Sequence, residues 1–548
     1  MPDLAGLGVS PGRTAGPVYR MSPPPTLPAD PPPVTDVQVE TEKEAAAAAL
    51  RFVADELARL SRQVEGTASD VLDTESMMAA DPTLADSVSR RIEAGRPAAW
   101  AVADAVAEQQ EAFAAIGGYF AERAADLADI RDRAVARLLG EPMPGLPRPG
   151  EPYVLVADDL SPADTALLDP AAVLAIVTRR GGPTSHTAIL AKARGLPAVV
   201  GCAGVRNLPD GTTVAVDGTT GLVSTVDAVT AGAIRAEAAR ERERQDAVTG
   251  PGRTADGHPV PLLLNVGGAG EVIPDAEGVG LFRTEFLFLG RTSAPAVAEQ
   301  ERAYEEVFRA AGPGKIVLRT LDAGADKPLP FLGLAAEDNP ALGVRGLRIA
   351  RDHPAVLAGQ LEAVASAARA TGADVWVMAP MVATATEADA FAAQARLAGL
   401  PTVGVMIEVP AAALRARRLL EVVDFVSIGT NDLSQYTMAA DRMNGELADL
   451  LDPWQPPVLE LVAEVAKAGR DAGKPVGVCG ESAGDPLLAL VFTGMGVTTL
   501  SMSGSVLPAV RAALAAHSRA DCERLARLAL DAPDATTARR AVAEQAGA

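Results

Sequence analysis

From about Arg253 onward, eight short apolar runs alternate with helical segments, and this rhythm restricts the fold more than any other feature of the chain. The runs are PLLLNV (261–266), VGLFRT (279–284), KIVLRTLD (315–322), VWVMAP (375–380), VGVMIE (403–408), FVSIGT (425–430), PVGVCGE (475–481) and TLSMS (499–503). Segments between them, such as LEAVASAARATG and LVAEVAKAGRDAG, carry helical spacing. Eight strand–helix units over about 300 residues fit a (β/α)8 TIM barrel in count and length, with a doubly wound open sheet as the competitor.

The rest of the chain differs in texture. It opens on the turn-rich GVSPG and a short strand-like AGPVYR, followed by the proline-rich stretch PPPTLPADPPP. Residues 34–141 read as amphipathic helices of a bundle, with EAAAAALRFVADELARLSRQV as the clearest example. Beyond the breaker EPMPGLPRPGEP come short strands, YVLVA, AVLAIVT, PAVVG and TTVAVDG, interleaved with helical patterns. The expected division is a multidomain α/β chain. Residues 1–33 and 142–228 form an α/β domain split by a helical insertion at 34–141; a linker helix spans 229–252 and a barrel spans 253–548.

Charge narrows the partners. The 548 residues carry 49 Lys+Arg against 71 Asp+Glu, a net −22, which argues against nucleic acid and favours a basic protein partner. Between Asp36 and Glu141 alone there are 21 acidic and 11 basic side chains. Most of these belong to a solvated helix surface; part of that face could receive the basic partner. Three distant cysteines (Cys202, Cys479, Cys522) form neither a disulfide framework nor a zinc site. With no signal peptide evident and no apolar run of roughly 20 residues, a cytoplasmic chain without membrane insertion is expected.

In a barrel, catalytic side chains stand at the C-terminal ends of strands. Arg283 ends the second run, Arg319 lies near the end of the third, and Glu408 ends the fifth. Asn431 and Asp432 follow the sixth, Cys479 ends the seventh, and Arg345 and Arg442 lie in the loops after the third and sixth. Singly, each is an ordinary surface arginine or strand-end acid; together they converge on one face. Glu408 and Asp432 are hard oxygen donors suited to Mg2+. Arginine forks match phosphate and carboxylate, so the ligand should be a small polyanion, which phosphoenolpyruvate fits. Cys479 is either a buried structural thiol or a general acid for an enolate carbon.

A second constellation is RRGGPTSHTAILAKARGLPAVVG. Gly181-Gly182-Pro183 makes a turn, Thr184 and Ser185 can cap the helix that follows, and His186 then sits at its positive end. Of the four histidines (His186, His258, His353, His517), only His186 has a setting able to cradle phosphate.

These stretches carry a resemblance. GGPTSHTAILAKARGLPAVVG is similar to the phosphohistidine signature of phosphoenolpyruvate-utilising enzymes. GVGLFRTEFLF, LRTLDAGADK, NPALGVRGLRI, VGVMIEVPAA, DFVSIGTNDLSQYTMAADRMN and VCGESAGD resemble their barrel motifs. Order, spacing and length resemble the Enzyme I family of the sugar phosphotransferase system. The resemblance implies that His186 is phosphorylated and that Arg283, Arg319, Arg345, Arg442 and Asn431 bind substrate. It also implies that Glu408 and Asp432 hold Mg2+, that Asp432 faces the substrate, and that Cys479 is the acid. The helical insertion would dock the phosphocarrier HPr, and the barrel would dimerise. Dikinases of the wider group need a nucleotide-grasping domain, for which there is no room or glycine-rich loop ahead of residue 150.

Overall fold

The structure, a computed structural model, describes residues 3–547 apart from 23, 29–30, 32–34, 36, 63–66, 117, 142, 148, 161–163, 165–167, 170, 183–185, 290, 292, 325–328, 336, 443, 445–446 and 448. It divides into two units, 1–238 and 239–548.

The first unit is built on an eight-stranded mixed sheet. Its strands are β1 (Leu4–Ala5), β2 (Leu7–Ser10), β3 (Arg13–Arg20), β4 (Tyr153–Ala157), β5 (Val173–Thr178), β6 (Ala198–Val200), β7 (Thr213–Asp217) and β8 (Leu222–Thr225), in the order β1-β8-β7-β3-β4-β5-β6-β2. The long strand β3 lies at the centre, antiparallel to β7 (Ala15 opposite Ala215) and parallel to β4 (Val18 opposite Val154). The chain between β3 and β4 forms the helices α1 (Val39–Ser61), α2 (Thr67–Ala79), α3 (Pro82–Glu93), α4 (Ala98–Ile116) and α5 (Gly118–Leu139). Helix α3 starts where Asp81 accepts the Thr83 amide at 2.7 Å, with Pro82 in the first turn. Leu50, Val53 and Leu57 of α1 sit one helical turn apart and share a core with Leu84, Val88, Val102 and Ile130.

The second unit is the barrel that the strand rhythm predicts. Strands β9 (Leu262–Val266), β10 (Gly278–Arg283), β11 (Lys315–Arg319), β12 (Val375–Ala379), β13 (Thr402–Ile407), β14 (Phe425–Ile428), β15 (Val476–Val478) and β16 (Thr499–Met502) are all parallel. The ring closes where β16 pairs with β9, Leu500 opposite Leu262, which rules out the open sheet. Helices around it are punctuated by sequence. Prolines open Pro354–Thr371, Pro456–Ala472 and Pro486–Met495, and Gly372, Gly473 and Gly496 end them in the left-handed conformation. Thr384 and Glu387 form a reciprocal capping box that starts Ala385–Leu397. Inside the barrel Leu281, Val317, Met378, Met406 and Phe425 pack together with Cys479. The interior is full: a Cβ at Gly404 would come within 2.5 Å of the Phe425 ring. No helix among the described residues is long and apolar enough to cross a membrane.

Candidate active site

The barrel's own geometry delivers the polar residues to one end. Arg283 and Arg319 are the last residues of β10 and β11, and Glu408 and Cys479 follow β13 and β15 directly. Asn431 and Asp432 lie in the first turn of Thr430–Met438, the helix after β14, and Arg442 follows that helix. Arg345 is far along the β11–β12 connection but is brought back by an antiparallel bridge to Gly324, beside an amide–carbonyl bond from Gly346 to Ala323 of 2.9 Å. A Cβ at Gly324 would meet the Arg345 Cβ at 2.5 Å, so this close approach requires glycine.

At the floor lies a buried ionic cluster. Arg319 donates to Glu285 at 2.6 Å and pairs with Asp322 at 2.9 Å. Arg345, 1% exposed, reaches Asp322 at 3.3 Å and Asp432 at 3.7 Å. Carboxylate oxygens of Asp322, Glu408 and Asp432 lie within 4.8 Å of one another, all buried. Arg442 approaches Asp432 at 3.8 Å from the rim, and Arg283, 42% exposed at its side chain, approaches Glu271 at 3.9 Å. Asn431, on the exposed rim, accepts the Glu481 amide at 3.2 Å and ties the β14 and β15 loops together.

The charges in the floor do not balance. Among the described residues four carboxylates (Glu285, Asp322, Glu408, Asp432) face two guanidiniums there, Arg319 and Arg345. Burial, with Asp322 and Asp432 nearby, pushes the Glu408 carboxyl up to about 8. Burial works against the Arg319 charge, yet Glu285, Asp322 and Glu408 hold its pKa above the ordinary arginine value. Asp432 Oδ1 is buried without a hydrogen bond, and Glu408 Oε1 accepts the Met381 amide at 2.5 Å. Such a surplus of hard, buried oxygen donors fits a divalent cation. Met381 itself has φ +59°, an uncommon conformation for a residue with a side chain and a cost accepted beside the acid it orients.

Cys479 is buried, its thiol 3.6 Å from the Ile428 carbonyl oxygen, and burial pushes it up to about 11. It therefore carries its proton at neutral pH, as a general acid must. His186 begins the helix His186–Arg194, whose end is set by Gly195 at φ +63°. Thr184 and Ser185, expected to cap that helix, and Pro183 lie outside the described residues. Asp322 and Glu285 escape notice in the sequence. Their signal is position: each stands two or three residues beyond an arginine that ends a strand, in RTE and RTLD.

Each part of this architecture has counterparts. The N-terminal domain of phosphoenolpyruvate-utilising enzymes matches residues 5–123, their mobile domain matches 149–221, and their phosphoenolpyruvate-binding domain matches 241–519. The fold and its cationic, acid-floored barrel mouth are thus those of a phosphoenolpyruvate-utilising enzyme. The phosphoenolpyruvate-protein phosphotransferase of Streptomyces coelicolor is 52% identical, over 98% of this chain and 98% of its own. Those of Haloferax volcanii and Bacillus subtilis are 41% and 35% identical, over 96% and 93% of this chain and 97% and 94% of theirs. The chain belongs to the phosphoenolpyruvate-protein phosphotransferase family, Enzyme I.

Proposed function

We propose that this chain takes the phosphoryl group of phosphoenolpyruvate onto His186 and passes it to the histidine phosphocarrier protein HPr, releasing pyruvate, as the first step of sugar uptake by the phosphotransferase system. The observation that carries this reading is the buried meeting of Arg319 and Arg345 with Glu408 and Asp432 at the strand ends, a site built for a small polyanion with a divalent cation. Four arginines, Arg283, Arg319, Arg345 and Arg442, grip phosphate and carboxylate, and Asn431 assists from the rim. Glu408 and Asp432 would hold Mg2+, which when bound offsets charge on the phosphoryl oxygens.

An imidazole nitrogen of His186 attacks phosphorus in line. The bond from phosphorus to the enol oxygen breaks, and its electron pair stays on that oxygen as the enolate. Cys479 gives its proton to the methylene carbon, producing pyruvate, and regains one from water. Catalysis rests mainly on positioning and charge stabilisation. The phosphorylated ring then meets HPr.

We assign 1–33 and 142–228 to the phosphohistidine domain, 34–141 to HPr docking, 229–252 to a linker whose helix ends at Asp246 rather than at 252, and 253–548 to substrate binding and homodimerisation, in a cytoplasmic protein. Because one ring must visit two surfaces, the α/β domain swivels, with the helix Ala228–Asp246 as its lever.

The test uses isotopically labelled phosphoenolpyruvate with Mg2+, with and without HPr. Wild-type protein should acquire an acid-labile label that moves to HPr, with one pyruvate released per transfer. His186→Ala should acquire none. A His186→Ala variant that still phosphorylates HPr overturns the proposal.

A further inference from the structure

Asp322, Glu408 and Asp432 lie together like the three acids of a metal site, but their surroundings separate them. Asp322 Oδ2 is 2.9 Å from Arg319 Nη1, and both of its oxygens are 3.3 Å from Arg345 Nη2. Glu408 Oε1 takes a neutral backbone amide instead, and Asp432 Oδ1 has no hydrogen bond and only the more distant ion pairs at 3.7 and 3.8 Å. A dication binding at Asp322 would have to displace, or sit against, two guanidiniums already on its lone pairs. The same carboxylate separates two cations that would otherwise repel each other at the point where a phosphate needs both.

The backbone is arranged to the same end. Pairing of β11 with its neighbours stops at Arg319, so the chain turns and Asp322 folds back beneath it as an i, i+3 pair. The Gly324–Arg345 bridge then places the second arginine against the same acid. Glu285 fixes Arg319 from the opposite side at 2.6 Å, with both side chains buried.

We infer that Asp322 is a positioning residue rather than a metal ligand: it holds Arg319 and Arg345 side by side, aimed at one phosphoryl group, and stands apart from the Glu408–Asp432 pair proposed above for the cation. This rests on the proposed function for the identity of the phosphoryl donor, though not for the two binding events that test it.

The experiment compares full-length wild type, Asp322→Asn and Glu408→Gln. Mn2+ binding is read by the free-ion electron paramagnetic resonance signal, and inorganic phosphate and phosphoenolpyruvate binding by calorimetry. Asp322→Asn should keep Mn2+ affinity within about threefold of wild type, because the ion's two carboxylates remain. Its phosphate and phosphoenolpyruvate affinities should fall about 10- to 100-fold, as two loosened guanidiniums lose their shared aim. Glu408→Gln should show the opposite pattern. Arg345→Lys combined with Asp322→Asn should cost less than the sum of the two single losses, since the pair acts as one unit, and full additivity counts against the shared role.

Loss of Mn2+ binding in a folded Asp322→Asn variant, to the extent seen in Glu408→Gln, makes Asp322 a ligand and overturns the inference. So does phosphate binding equal to wild type. Neither readout needs phosphoryl transfer, so a negative labelling experiment on His186 would sink the proposed function and leave these measurements standing.

Discussion

Glu75→Gln should stabilise the first unit, and by an amount that grows with pH. Glu75 lies on α2 with 0% exposure and no hydrogen bond to either carboxylate oxygen. Around it, among the described residues, stand Asp126 and Asp129 of α5, Asp164 from the segment after β4, and the cation Arg133. That guanidinium is already engaged by Asp129 at 2.6 Å and approaches Asp164 at 3.6 Å. Burial first, then Asp129 and Asp126, pushes the Glu75 carboxyl from 4.5 up to about 9, against the opposing pull of Arg133. The folded protein therefore keeps a proton that the unfolded chain releases. The stability contribution is fully present below about pH 4.5 and is lost progressively as pH rises towards 9, because unfolding lets the carboxyl ionise. At about pH 7.5 three pH units separate the medium from the unfolded value, and at about 1.4 kcal/mol per unit the ionisable side chain costs roughly 4 kcal/mol. Glutamine has the same shape, never ionises, and offers its amide hydrogens to a pocket rich in carboxylate acceptors. Urea unfolding followed by circular dichroism, on both proteins from about pH 5 to about pH 8.5, should show the variant's advantage widening by about 1.4 kcal/mol per unit. An advantage that stays constant across that range means that Glu75 is ionised in the folded state, and the electrostatic account of this cluster is then wrong.

Two further outcomes follow from the barrel mouth. A Cβ at Gly480 would stand 1.8 Å from Thr430 Oγ1 and 2.7 Å from the Thr430 amide, so Gly480→Ala must push away the turn that carries Asn431 and Asp432. Pyruvate release should fall at least about tenfold while the melting temperature drops only a few degrees, and unchanged turnover would show that the turn tolerates the shift. With its thiol pushed up to about 11, Cys479 should resist iodoacetamide at about pH 8, where roughly one thiol in a thousand is ionised, until the chain is unfolded. Rapid alkylation of native Cys479, located by peptide mass spectrometry, would contradict its buried, protonated state.

The barrel is legible in the sequence because its strands are hidden on both sides, so each announces itself as an apolar run bounded by helix signals that proline and glycine make explicit. For the same reason Arg283, Arg319, Glu408 and Cys479 can be picked out: a polar residue that closes an apolar run is conspicuous. What the residues conceal is pairing over distance. The run KIVLRTLD reads as one strand through Asp322, whereas the ladder stops at Arg319, and those three residues decide whether Asp322 is a strand-end donor or a counter-ion folded under an arginine. Its partner Arg345 arrives from 23 residues away, through a bridge at Gly324 that no local pattern announces. Met381 is hidden in another way, since a methionine gives no hint of a left-handed backbone. The carboxylate of Glu408 accepts the amide that this conformation presents, and Gly346 leaves room beside it, where an added Cβ would stand 3.0 Å from that of Met381. Local chemistry therefore identifies which residues can act on a phosphoryl group, while the choice between gripping the anion, holding a cation and steering a neighbour is made by tertiary contacts a few ångströms wide. Asp322 and Asp432 carry the same functional group within 4.8 Å of each other, and among the described residues the closer guanidinium nitrogens on Asp322, at 2.9 and 3.3 Å against 3.7 and 3.8 Å on Asp432, set their tasks apart.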